Sequence, residues 1–296
     1  MHPPVSIIMP VRNEQRHLAA AVQAVLDQDY PGDLQMVLAV APSSDGTQAV
    51  ASQLAAGDSR ITVVANPSGR TPDALNAAIN ASSHAVIVRV DAHSELSPGY
   101  ITRAVATLER TGADNVGGVM AAVGHSPFEQ AVAAAMRSPF GVGAASFHTG
   151  GAEGPADTVY LGVFRRSAIE RVGGYDPHFT RAQDWEMNYR IRSTGGTVWF
   201  DPGLVVTYRP RGTVRSLARQ YLEYGTWRRE VMRTHRPTAM QLLRYLAPPL
   251  AVVGSLVGLA LAIMGMTWGL LLPAAYAVIE VAAAWRRARR PPRGSA

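Results

Sequence analysis

Val86-Ile87-Val88-Arg89-Val90-Asp91-Ala92-His93 is a mostly β-branched run that ends on a carboxylate, with a histidine two residues later. A strand of a parallel sheet is covered on both faces and reads as a near-continuous apolar run. Ligands of open α/β sheets bind just beyond the carboxyl ends of the strands. The stretch therefore places Asp91 and His93 at the lip of a sheet, facing a cleft. A carboxylate and an imidazole suit a divalent cation that also holds phosphate oxygens. The plainer alternative is a strand end where Asp91 caps the next turn and His93 is only polar.

The flanking chain extends this pattern. Val5–Val11, Leu34–Ala41 and Ile61–Ala65 read as further buried strands. Between them, His17–Gln28 sets Leu18, Ala21, Val22, Val25 and Leu26 on one helical face, and Thr71-Pro72-Asp73 opens a helix with Thr at the cap and Pro in the first turn. Strands alternating with helices over the first hundred residues predict an α/β, Rossmann-like, mostly parallel sheet with helices on both faces. Beyond it, helices are expected at Tyr100–Arg110, Ser126–Arg137 and Asp184–Ser193, and strands at Asn115–Val123 and Thr158–Phe164. Gly141–Gly154 reads as a mobile loop. Val198–Tyr208 reads as one or two short strands broken at Asp201-Pro202-Gly203.

Charge is unevenly spread. All 28 basic residues of the 296 are Arg, and there is no Cys. Thiolate metal sites, disulfides, Schiff-base lysines and a Walker-type phosphate loop are thereby excluded. From Arg209 onward, 14 Arg face Glu223, Glu230 and Glu280, a net +11; the overall +6 leaves −5 for the preceding part. A basic end on an acidic body argues against a nucleic-acid binder and suits a C-terminal end near anionic lipid. The N-terminus shows no signal-peptide pattern. Val214–His235 predicts a long helix able to lie in a membrane interface, with Leu217, Tyr221, Leu222, Tyr224 and Trp227 for burial. Ala247–Met266 and Trp268–Trp285 are expected to form a transmembrane hairpin turning at Gly265-Met266-Thr267, with flanking Arg setting both ends in the cytoplasm. The alternative is a buried helical hairpin. The expected organisation is a catalytic domain over 1–210, interface helices over 211–245, two spans over 246–285 and a basic tail over 286–296.

Four motifs then stand in order on these elements. Pro10-Val11-Arg12-Asn13-Glu14 follows the first strand and Ser43-Ser44-Asp45-Gly46-Thr47 the second. Asp91-Ala92-His93 follows the fourth, and Gln183-Asp184-Trp185-Glu186 opens a helix. Together they resemble the family-2 glycosyltransferases of GT-A fold. Arg89–His93, Ser138–Gly143, Asp157–Gly162 and Gln220–Arg228 are similar to the succinoglycan-biosynthesis-type glucosyltransferases within that family. The resemblance covers about residues 5–235.

It implies transfer of a hexose, with glucose the first expectation, from a nucleotide-sugar to a lipid-linked oligosaccharide, with inversion, during exopolysaccharide or cell-envelope synthesis. Asp91 and His93 would hold a divalent metal, Mn²⁺ or Mg²⁺, and Asp184 would be the base that takes the acceptor proton. On its own, Asp184 reads first as a cap for the helix it opens. By the same resemblance Pro10, Arg12, Asn13, Glu14, Asp45, Arg70, Asn76 and Asp91 serve the nucleotide-sugar. Gln220, Tyr224, Trp227 and Arg228 close the acceptor or diphosphate side. The expected location is the inner membrane with a cytoplasmic catalytic domain. Two departures stand out. Val40-Ala41-Pro42 lacks the acidic residue the family usually carries before Ser43, and Glu223 stands where Arg is common. Transfer to polyprenyl phosphate itself, or a non-catalytic nucleotide-sugar-binding scaffold at the membrane, are the alternatives.

Overall fold

The computed structural model describes residues 2–138, 145–235 and 239–288, which divide into two units between Arg228 and Arg229. The first unit is built on one mixed sheet, nine-stranded among the described residues. Strands β1 (Val5–Val11), β2 (Leu34–Val40), β3 (Ile61–Ala65) and β4 (Val86–Arg89) are parallel, in the spatial order β3-β2-β1-β4. Helices α1 (Leu18–Leu26), α2 (Thr47–Gly57) and α3 (Thr71–Ala81) connect them. After the short β5 (Glu95–Leu96) come α4 (Tyr100–Thr111), β6 (Asn115–Ala122), α5 (Pro127–Met136), α6 (Ser146–Thr149) and β7 (Gly154–Pro155). They are followed by β8 (Tyr160–Arg165), α7 (Arg166–Arg171), α8 (Gln183–Ser193), β9 (Val198–Tyr208) and α9 (Val214–Thr234). β8 inserts antiparallel between β4 and β6, and the order continues β4-β8-β6-β9-β5.

Strand alternation divides the core between the two faces. Val86, Val88 and Val90 point with Ile7 and Met9 to α1 and α4, where Leu18, Val22, Tyr100 and Leu108 are fully covered. Ile8 and Ile87 point the other way, to Leu75 and Ile79 of α3 and to Met187 and Ile191 of α8. Period two therefore assigns Arg89, the next odd position after Ile87, to the face that carries α8.

The expected break in Val198–Tyr208 is absent: β9 is one strand of 11 residues with a register irregularity opposite Gly117–Val119. Asp201 makes this tolerable. Fully buried, its carboxylate accepts from Arg103 Nε at 2.9 Å, Thr107 Oγ1 at 2.9 Å and the Gly203 amide at 2.9 Å. Gly118 is required opposite, since a Cβ there would lie 1.9 Å from the Leu204 carbonyl oxygen.

The second unit holds α10 (Ala239–Ile263) and α11 (Leu271–Ala288), joined through Gly265 at φ +90° and a 3₁₀ turn. The 3₁₀ turn approaches α10 closely where Gly269 faces Gly258. The helical hairpin is present, but the transmembrane expectation is corrected: among the described residues no helix is long and apolar enough to cross a membrane. At 1.5 Å per residue the 18 residues of α11 rise about 27 Å, short of the roughly 30 Å of hydrocarbon. They also include Glu280 and end in Arg286 and Arg287. The start of α10 carries Gln241, Arg244 and Pro248-Pro249, and Gly254, Ser255 and Gly258 dilute the apolar remainder. Most of Ser138–Gly143, the early part of the expected 141–154 loop and positions 289–296 of the basic tail lie outside the described residues.

Candidate active site

The carboxyl ends of β1, β2 and β3 carry three loops that are hydrogen-bonded into one rim. Asn13 stands at φ +55°, which aims its side chain across the sheet edge. Its Oδ1 accepts from the Ser44 amide at 2.8 Å, and its own amide donates to Ser43 Oγ at 3.1 Å. The Glu14 amide donates to Thr47 Oγ1 at 2.8 Å. Asp45 turns to the rim: it accepts from the Thr47 hydroxyl and from the Thr47 and Gln15 amides, and these hydrogen bonds, led by that of the Thr47 hydroxyl, hold its carboxyl below the usual range. Arg12 Nη1 donates to the Gly69 carbonyl at 3.3 Å, and Arg70 pairs with Asp73 at 2.8 Å. Pro10 is half-buried beneath them. At the position without an acidic residue, Ala41 is buried and its amide closes onto the Val11 carbonyl at 2.9 Å.

Beside this rim, Arg89 joins two carboxylates. Its side chain is 3% exposed; it lies 3.1 Å from Asp91, and its Nη1 donates to Asp184 Oδ1. Its Cζ lies 6.0 Å from the Tyr175 ring centroid. Asp184 sits in the first turn of α8, not at its cap; Ala182 holds the cap position at φ +58° without a side-chain bond. Burial pushes the Asp184 carboxyl up to about 6, against Arg89, which favours the anion, and with Asp91, which opposes it. Burial also raises the hydroxyls of Tyr160 and Tyr175, both of which feel Asp91 and Asp184.

Asn76 lies behind the rim. Its Nδ2 donates to the Tyr175 carbonyl at 2.7 Å and its Oδ1 accepts from the Tyr175 amide at 2.8 Å, tying α3 to the segment that leads into α8. Glu223 and Trp227 of α9 reach that same segment. Trp227 meets His178 edge-on at 6.0 Å and Phe179 at a tilt at 6.2 Å between centroids, and Glu223 pairs with Arg181 at 3.3 Å. Gln220 donates to the hydroxyls of Tyr208 and Tyr224 at 2.9 and 2.8 Å. Arg228 is exposed, and its charge contributes, after burial, to lowering His148 to about 4.

The metal expectation is consistent with the donor chemistry. Among the described residues no group of three or more His, Cys, Asp or Glu is placed to hold an ion. Asp91 and His93 provide two donors of suitable type, which leaves the remaining positions for phosphate oxygens and water. His93 Nδ1 lies 3.1 Å from Glu14 Oε1, so its Nε2 is the nitrogen left for an ion. A carboxylate behind a ligating imidazole fixes the tautomer in this way. The Glu14 hydrogen bond also raises His93 above its ordinary value.

Sequence reasoning named no role for Arg89, Tyr160 or Tyr175. The usable signal was one arginine inside an otherwise apolar strand, a charge that needs buried partners.

Comparisons with known proteins agree with this geometry. The model of the glycosyl transferase family 2 matches residues 6–173. The chain is 33% identical over 269 residues to the succinoglycan biosynthesis protein ExoA of Rhizobium meliloti (strain 1021), spanning 90% of this chain and 80% of that protein. It is 22% identical over 231 residues to a dolichyl N-acetyl-alpha-D-glucosaminyl phosphate 3-beta-D-2,3-diacetamido-2,3-dideoxy-beta-D-glucuronosyltransferase of Methanococcus voltae, over 75% of this chain and 71% of that one. Among solved structures, the mannosyltransferase PcManGT from Pyrobaculum calidifontis, in complex with GDP-Man and Mn²⁺, superposes with a TM-score of 0.62 at 20% identity. It covers 97% of this chain and 79% of that chain. That likeness is one of fold, and with the family match over more than half the chain it establishes that this protein is a GT-A-fold member of glycosyltransferase family 2.

Proposed function

We propose that this glycosyltransferase moves a hexose from a nucleotide-sugar to a lipid-linked saccharide with inversion, and that it requires a divalent metal. One observation carries the reading: a single buried guanidinium joins Asp91, at the end of β4, to Asp184, at the start of α8. Two carboxylates thus share one group, one of them with a raised pKa, which suits a metal ligand in Asp91 and a base in Asp184. Inversion calls for one base facing the leaving group's opposite side. Asp184, held near pH 6, is ionised at neutral pH yet basic enough to accept a hydroxyl proton. Asp91 and His93 would hold the metal, whose charge would stabilise the departing diphosphate. The rim formed by Asn13, Ser43, Ser44 and Asp45 supports the nucleoside side. The likeness to ExoA supports a part in exopolysaccharide synthesis, and that to a transferase named for a dolichyl N-acetyl-glucosaminyl phosphate supports a lipid-linked acceptor. The apolar side chains exposed on the second unit, Leu250, Leu256 and Ile263 among them, support contact with a membrane surface.

The test is a screen of UDP-, GDP- and dTDP-sugars for nucleoside diphosphate release with Mn²⁺, Mg²⁺ or EDTA. Metal-dependent release from one donor, abolished by Asp91→Ala, is the expected result. Release that is indifferent to EDTA would overturn the metal assignment. No release from any donor would overturn the transferase reading in favour of a binding scaffold.

A further inference from the structure

We infer that Arg89 is the positioning residue of this site: it fixes the Asp184 carboxylate and, by gripping Asp91 as well, competes there with a divalent cation. The inference rests on the assignment of Asp184 as base and Asp91 as metal ligand above. Three observations carry it. Arg89 is 2% exposed, and a buried guanidinium is tolerated only where its charge and donors are matched. It donates to the two carboxylates of the proposed reaction, to Asp91 through Nε and Nη2 and to Asp184 through Nη1. Its fork is braced from behind by Tyr175, which Asn76 anchors through two backbone hydrogen bonds. A planar fork can bridge two carboxylates in fixed geometry; an ammonium is a single point charge on a flexible stem.

The arrangement has an electrostatic consequence. One guanidinium shared by two ionised carboxylates leaves the triad with a net charge of −1, one positive charge short of neutrality. A divalent cation arriving at Asp91 meets a carboxylate that is already hydrogen-bonded, so part of its binding free energy is offset by loosening the Arg89–Asp91 contact. The guanidinium then belongs to Asp184 alone. Arg89 thereby links cation occupancy at the end of β4 to how firmly the base at the start of α8 is held.

The experiment compares wild type, Arg89→Gln, Arg89→Lys and Asp91→Ala. It measures kcat and donor KM on the donor found in the screen, and Mn²⁺ affinity in the absence of donor by electron paramagnetic resonance. Arg89→Gln is expected to lower kcat about 100-fold while leaving donor KM within about threefold, because the lost interaction acts on the base. Arg89→Lys should recover about tenfold of that loss but not all of it. Both variants should bind Mn²⁺ several-fold more tightly than wild type, and Asp91→Ala should not bind it. Unchanged kcat in Arg89→Lys, no difference between Lys and Gln, or weaker Mn²⁺ binding in both variants would overturn the inference. If Arg89→Gln does not fold, as judged by circular dichroism, Arg89→Lys against wild type decides. If wild type turns over no donor, the transfer reading has failed, and the Mn²⁺ arm decides the Arg89–Asp91 competition alone. If wild type binds no Mn²⁺ but transfers sugar, the metal reading has failed and the competition with it; the kcat arm then decides the hold on Asp184. Failure of both arms removes the inference.

Discussion

Asp184→Asn keeps the size of the side chain and removes its ionisation, and two effects with one origin follow. The carboxyl stands at about 6 because burial disfavours the anion by more than Arg89 favours it. A general base contributes about 10²- to 10⁴-fold, so kcat should fall by that factor, about 3–5 kcal/mol of barrier. In wild type, kcat/KM should drop about tenfold per pH unit below 6, and the residual rate of the variant should lose that limb. Stability moves the opposite way. A carboxyl whose folded value lies above its ordinary value near 3.8 binds its proton more tightly in the fold than in the unfolded chain. Its contribution is therefore present below about pH 4 and lost as pH rises through about 6. At 1.36 kcal/mol per pH unit this amounts to about 3 kcal/mol, with Asp184 only 26% exposed. The variant is spared that loss. Paired measurements would record initial rates and thermal unfolding of both proteins from pH 4 to 8. The melting temperature of wild type should fall relative to Asp184→Asn between pH 4 and 6 and run parallel to it above 7. A rate plateau extending down to pH 4.5, together with parallel melting curves throughout, would refute the reasoning.

Three further outcomes are expected. Glu14→Ala removes the partner of His93 Nδ1 and should raise the Mn²⁺ concentration for half-maximal activity about 10- to 100-fold, as loss of an outer-shell carboxylate does; an unchanged metal titration would contradict the tautomer argument. Asn76→Ala strips both backbone partners from Tyr175 and should cost about 2–3 kcal/mol in chemical denaturation, with a fall in kcat larger than in donor binding. Ala182→Gly relieves a left-handed alanine and should stabilise by about 1 kcal/mol while lowering kcat, since the turn before Asp184 becomes freer; a variant that loses stability would show that the alanine is not strained.

The parallel half of the sheet was legible because buried strands and amphipathic helices leave periodic signals, and Val86–Val90 carries one in five residues. What followed β6 was harder to read. Asp201-Pro202-Gly203 has the chemistry of a turn, yet β9 runs through it, because Arg103 and Thr107 on α4 satisfy the buried Asp201 from about 100 positions away. No local pattern announces such a partner. The helical hairpin at the C-terminus was legible as two apolar segments around Gly265. Its reading as a membrane span was not sound, because apolar composition alone does not separate a spanning helix from one that exposes Leu250, Leu256 and Ile263 on a surface. At the site, the individual residues could be named from their motifs. Their wiring could not: Asn76 with Tyr175, Glu14 with His93 and Arg89 with Asp184 each join positions about 80 to 100 residues apart.

The distribution of strain gives an independent argument for where the chemistry sits. Among the described residues, three non-glycine positions have φ between +55° and +59°: Asn13, Leu161 and Ala182. Asn tolerates this conformation, but Leu and Ala do so at a cost of about 1 kcal/mol or more. Asn13 forms the rim between β1 and β2. Leu161 directly follows Tyr160, whose hydroxyl feels Asp91, and Ala182 aims the turn that delivers Asp184. Asp184 itself is held as a carboxyl that burial disfavours in its ionised form. Elsewhere in the first unit, local preference and tertiary position agree in the capping box of Ser126 and Glu129, while the turn-like Asp201-Pro202-Gly203 is overridden through the partners of Asp201. Conflict between the two persists only where the surrounding fold overrides it, and such positions concentrate at functional sites. Backbone strain at the rim, at β8 and before α8, together with a destabilised carboxylate beside a buried guanidinium, converges on the carboxyl ends of β1, β2 and β4. That is the lip to which the run ending in Asp91 and His93 points.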